Sequence, residues 1–184
     1  MQVERLPIVN IIPQLQRILS EHSLALLTAE PGAGKTTQIP LALLKESWLD
    51  SKKIIMLEPR RLAARTAANH MARLLGQSVG ETVGYRTRLD TKISSSSKIE
   101  VVTEGILTRI LQHDPSLNDY GLVIFDEFHE RSVESDLALA MLLQARQLFR
   151  GDTPLRLLVM SATLESLGIE ALLQTALKRL SSSY

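Results

Sequence analysis

The chain has 184 residues, 45% of them hydrophobic and 22% charged, and a formal net charge of +1. That balance suits one compact domain and leaves any nucleic-acid contact to local clusters rather than an overall basic surface. With no cysteine, a disulfide framework and a thiolate metal site are both excluded.

Strand-like and helix-like segments alternate along the sequence, as in an α/β fold with a mostly parallel, doubly wound sheet. The spacing predicts a helix over 13–21, a strand over 24–28 and a helix from 35 to about 45. A strand over 53–58 and a helix over 62–75 follow, then an extended stretch over 79–86 and a polar connection over 91–98. Next come a strand over 99–103, a helix over 104–111, a strand over 122–125, a helix over 135–149 and a strand over 155–160. A last helical pattern covers 165–180. A sheet of this kind would normally continue, so residues 1–170 are expected to be one lobe of something larger or of a truncated chain, with 171–184 as its tail. The apolar runs are too short for a membrane span, and the opening MQVERLPIVNIIPQLQ lacks the pattern of a secretion signal. A cytoplasmic setting without a membrane partner is therefore expected.

Two motifs carry the chemistry. Residues 29–36 read AEPGAGKT, between an apolar run and a helical pattern. Glycines there let successive N–H groups converge on phosphate oxygens, and the helix start adds partial positive charge. Lys35 would reach the β- and γ-phosphates and the Thr36 hydroxyl would ligate Mg²⁺. The nucleotide-binding set is thus Ala29, Pro31, Gly32, Ala33, Gly34, Lys35, Thr36 and Thr37, with Ala29 standing where the strict pattern has glycine. The alternative is an ordinary glycine turn before a helix.

Residues 122–131 read LVIFDEFHER, a buried-strand pattern ending in paired carboxylates. Ligands of open parallel sheets gather at the carboxyl ends of the strands. Asp126 would hold Mg²⁺ through water, opposite Thr36, and Glu127 would orient or deprotonate the attacking water. Read alone, the pair could equally be solvated acids ending a strand, with His129 and Arg131 on the surface. Together the two motifs specify a magnesium-dependent nucleoside triphosphatase.

DEFHER, with EPRRLAAR (58–65), TEGILTR (103–109) and SAT (161–163), resembles the DEAH-box group of superfamily 2 helicases, most closely the bacterial HrpB-type ATP-dependent RNA helicases. The resemblance spans about 9–164 in the family's motif order, and Phe128 in place of alanine fits the HrpB-type variant. It implies a RecA-like P-loop first lobe that uses ATP and Mg²⁺ and binds single-stranded nucleic acid, RNA above all. It also implies Asp126 as metal-binding acid and Glu127 as catalytic base, with Lys35 assisting. His129 would couple the nucleotide site to Ser161 and Thr163, and Arg60, Arg61, Thr103 and Gly105 would touch the sugar-phosphate backbone. Physical chemistry runs alongside. Arg60 and Arg61 follow Pro59 at a strand end, where paired guanidiniums suit phosphates irrespective of sequence, although a helix start disfavours cations. His70 stands where many relatives carry an arginine that stacks on the nucleotide base.

The family's second lobe supplies arginine fingers, and no Gln-x-x-Gly-Arg-x-Gly-Arg run occurs in these residues. The alternatives are a truncated, non-catalytic nucleotide- or RNA-binding module and a P-loop ATPase acting on protein substrates. DNA instead of RNA is a milder variant.

Overall fold

The computed structural model of the chain describes residues 7–151 and 153–163. Seven strands form one sheet in the order β1-β7-β6-β2-β5-β3-β4. They are β1 (Leu24–Thr28), β2 (Lys53–Leu57), β3 (Val83–Arg86), β4 (Thr91–Lys92), β5 (Ile99–Val102), β6 (Tyr120–Phe125) and β7 (Arg156–Ser161). All pairings are parallel except β3–β4.

Alternation along the central strands explains the two covered faces. Ile54, Met56, Leu122 and Ile124 point into one core, with residues from α1 (Ile12–Glu21), α2 (Lys35–Leu43) and α3 (Arg61–Leu74). Ile55, Leu57, Val123 and Phe125 point into the other, with residues from α4 (Glu104–His113) and α5 (Val133–Phe149). A strand buried on both sides reads as a continuous apolar run, and all six residues of β6 are buried. Its start at Tyr120 lengthens the strand predicted over 122–125. Helix α5 begins two residues earlier than its pattern suggests because Ser132 and Ser135 form a reciprocal cap, each hydroxyl accepting the other's backbone N–H.

Two expectations need correction. Of the extended stretch 79–86, only Val83–Arg86 is strand. The polar connection over 91–98 opens with β4, which pairs antiparallel with Tyr85 and Arg86. A compact turn makes that pairing: Thr87 N–H and Oγ1 donate to Asp90 O at 2.8 and 2.9 Å, and Tyr85 Oη donates to Asp90 Oδ2 at 2.5 Å. The helical pattern over 165–180 and the tail over 171–184 lie outside the described residues. No described helix is long and apolar enough to cross a membrane.

The connection after β4 passes directly over Gly84. A Cβ there would lie 2.3 Å from Lys92 O and 2.8 Å from Ile93 Cγ2, contacts that only backbone movement could relieve. Gly84→Ala is therefore expected to destabilise the fold by about 1–3 kcal/mol, read as a lower urea midpoint at unchanged m-value.

Candidate active site

The loop between β1 and α2 turns on two glycines. Gly32 (φ +78°) and Gly34 (φ +91°) both lie in the left-handed region, which a side chain disfavours. Gly34 also caps α2, so the helix's first amides, which lack intrahelical partners, open onto the loop with its positive dipole end.

Four predicted residues converge here. Lys35 is only 2% exposed, and its Nζ donates to Ala29 O at 3.0 Å and lies 3.6 Å from Glu127 Oε1. Thr36 Oγ1 donates to Asp126 Oδ2 at 2.5 Å. Asp126 is buried at the end of β6. Its backbone N–H donates to Leu57 O at 3.0 Å, and its Oδ1 accepts from the Glu127 N–H at 2.8 Å. A hydroxyl and a carboxylate oxygen form the hard donor pair that suits Mg²⁺. Among the described residues no group of three or more His, Cys, Asp or Glu side chains could hold a metal.

One participant is absent from the sequence-level site. Glu58 follows β2 and is 3% exposed. Burial, the Asp126 charge and a hydrogen bond to Asp126, with smaller contributions from Glu127 and Glu130, push its carboxyl up to about 9. At neutral pH it therefore carries a proton and donates to Asp126. An acid ending a strand reads as solvated until the β2–β6 pairing places it beside Asp126.

His129 lies in the 3-10 turn Phe128–Glu130. Its predicted partners were Ser161 and Thr163. Its Nδ1 instead accepts the backbone N–H of Ala162, between them, at 3.2 Å, and lies 3.3 Å from Glu127 Oε2. Ser161 Oγ donates to Thr163 O at 3.1 Å and accepts from Thr163 N–H at 3.3 Å, while Ser161 O receives the Ala29 N–H at 3.1 Å. The end of β7 thus touches the phosphate loop through Ser161, and the next residue, Ala162, touches the turn behind Glu127.

Arg60 and Arg61, both exposed, occupy the N-cap and first residue of α3. A cavity of about 180 Å³ brings Arg60 together with Asp126, Glu127 and Glu130. Thr103 is the N-cap of α4 and is 9% exposed, whereas Gly105 faces open space. Arg61, Thr103 and Gly105 thus lie at the carboxyl-end edge of the sheet, at the starts of α3 and α4. His70 lies farther along α3, half-buried, its Nδ1 2.9 Å from Arg73 Nη2.

Residues 11–171 match the family described as DEAD/DEAH box helicase. The chain belongs to that family. The ATP-dependent RNA helicase HrpB of Escherichia coli is 49% identical over 171 residues, covering 93% of this chain and 21% of that protein. An HrpA homolog of Haemophilus influenzae is 38% identical over 162 residues, covering 88% and 12% respectively. A crystal structure of the E. coli DExH-box NTPase HrpB superposes with a TM-score of 0.89 at 48% identity, over 95% of this chain and 21% of that one. The fold is the RecA-like helicase lobe, and the chain spans about a fifth of HrpB's length.

In this helicase lobe the protonated Glu58 sets a pH dependence. Its folded pKa lies above the ordinary 4.5, so the stability it contributes is complete below about 4.5 and is lost as pH rises toward about 9. For nucleotide-free protein, stability therefore falls as pH rises through that window. Glu58→Gln, which keeps a donor, is expected to flatten the fall relative to the parent chain, measured by urea melts from pH 5 to about 9.

Proposed function

We propose that the chain is the ATP-binding lobe of an ATP-dependent RNA helicase, binding Mg²⁺-ATP and hydrolysing it in response to single-stranded RNA. The observation that carries this reading is the convergence of Lys35, Thr36, Asp126 and Glu127, drawn from two loops ninety positions apart, on one edge of the sheet. Amides of the 29–37 loop would cradle the phosphates, and the Lys35 ammonium would balance charge on the β- and γ-oxygens. The Thr36 hydroxyl and Asp126 carboxylate would hold Mg²⁺, which when bound neutralises charge between those phosphates. Glu127, tethered near Lys35, would orient the attacking water and accept its proton at the carboxylate. His129, through Ala162, would relay changes at the phosphate loop to the Ser161–Thr163 segment. Arg60, Arg61, Thr103 and Gly105 would contact the strand's backbone. The nucleotide requirement carries a cytoplasmic setting with it.

A second reading is that these residues bind nucleotide or RNA without turnover, since arginine fingers can supply about 10³–10⁵ in rate to phosphoryl transfer.

RNA-stimulated phosphate release by the 184-residue chain separates the two. The helicase-lobe reading expects slow but measurable release that falls by about 10²-fold or more in Glu127→Gln, with nucleotide binding retained. Release equal to that of Glu127→Gln would favour the module without turnover. Neither reading expects strand displacement by these residues alone, and robust unwinding would overturn both.

A further inference from the structure

Arg60, assigned above to the strand backbone, is already engaged. Its Nη2 lies 2.9 Å from Glu130 Oε1, with the arginine largely exposed and the glutamate about a third exposed. Glu130 closes the 3-10 turn that starts immediately after Glu127, and its N–H donates to Glu127 O at 2.9 Å. Both flanks of that turn have positive φ, Glu127 at +47° in the left-handed region and Arg131 at +34°. The adjacent Arg131 lines the same cavity but is already paired, with Asp136 Oδ2 at 2.6 Å, and lies over the Phe128 ring. The cavity that Glu130 lines also holds the carboxylates of Glu104, Asp126 and Glu127. Among the described residues Arg60 is its one salt-bridge partner.

We propose that Glu130 is a positioning residue that holds Arg60 in reserve and yields it to an arriving nucleic-acid phosphate, coupling strand binding to the turn that carries Glu127. The inference rests on the strand-binding role proposed for Arg60. A carboxylate and a phosphate present the same acceptor geometry to a guanidinium, so they compete for it. An exposed ion pair is weak enough to be exchanged. Once Arg60 is taken, Glu130 is left without its salt-bridge partner beside Glu104 and Glu127. Relief requires Glu130 to move, and the Glu130 N–H bond transmits that movement to the backbone carbonyl of Glu127. His129, between them, carries the same displacement to Ala162. The coupling is reciprocal: nucleotide-induced movement of Glu127 alters the hold on Arg60.

The test is a double-mutant cycle on the 184-residue chain, using the anisotropy of a fluorescein-labelled single-stranded oligouridylate at low salt. Arg60→Ala should weaken binding. Glu130→Gln should tighten it roughly two- to fivefold, and the gain should shrink toward nothing in the Arg60→Ala background. An equal gain in both backgrounds would reveal general charge relief and overturn the proposal, as would no gain at all while Arg60→Ala still weakens binding. Binding that is undetectable throughout, or indifferent to Arg60→Ala, would strike the strand-binding reading itself and remove the inference with it. The second readout is affinity for a fluorescent ATP analogue with and without saturating oligouridylate. The parent chain should show a ratio of about two or more that Glu130→Gln brings to one; a ratio of one in the parent, or no change in the variant, sinks the coupling.

Discussion

A hydroxyl and a carboxylate separated by ninety positions meet at 2.5 Å, and the rest of the site follows from that meeting. Thr36 is placed by β1 and Asp126 by β6, with β7 between them in the sheet. Parallel pairing in register sends all three strand ends to the same edge. Thr28 lies opposite Ser161, and Phe125 opposite Val159. Shifting any one strand by a residue would flip its side chains between the two cores, so the apolar alternation that packs the helices also fixes the separation of the chemical groups. The packing and the site are therefore one constraint.

The same edge concentrates negative charge. Asp126, Glu127, Glu130 and Glu104 gather around it, against Lys35 and Arg60. Glu58 lowers that burden by retaining its proton, turning a potential repulsion with Asp126 into a hydrogen bond. On the proposed function, an aspartate held by Thr36, Glu58 and the Glu127 amide would be oriented before substrate arrives, without reorganisation when phosphate charge enters.

What was legible in the sequence follows from how much spacing each feature demands. The phosphate loop admits few residue choices, since two positions need positive φ and one must place an ammonium; Gly32, Gly34 and Lys35 therefore announce themselves. Asp126 and Glu127 are legible because an apolar run sets the strand end. The β4 strand was hidden because two polar residues in a serine-rich stretch carry no apolar alternation, and its pairing is made by the Asp90 turn. His129's partner was hidden for another reason, being a backbone amide rather than a side chain. Glu58 and Glu130 read as ordinary surface acids until the β2–β6 pairing and the 3-10 turn bring them to Asp126 and Arg60.

The backbone at Glu127 carries one more consequence. A side chain in the left-handed region is disfavoured by about 1–2 kcal/mol relative to glycine's ease there, and Glu127 sits in it at φ +47°. Folding alone would prefer an achiral residue at this corner. On the proposed function the carboxylate is kept against the interest of stability, so variants recovered purely for heat resistance would drift toward glycine at 127 and lose phosphate release on the way.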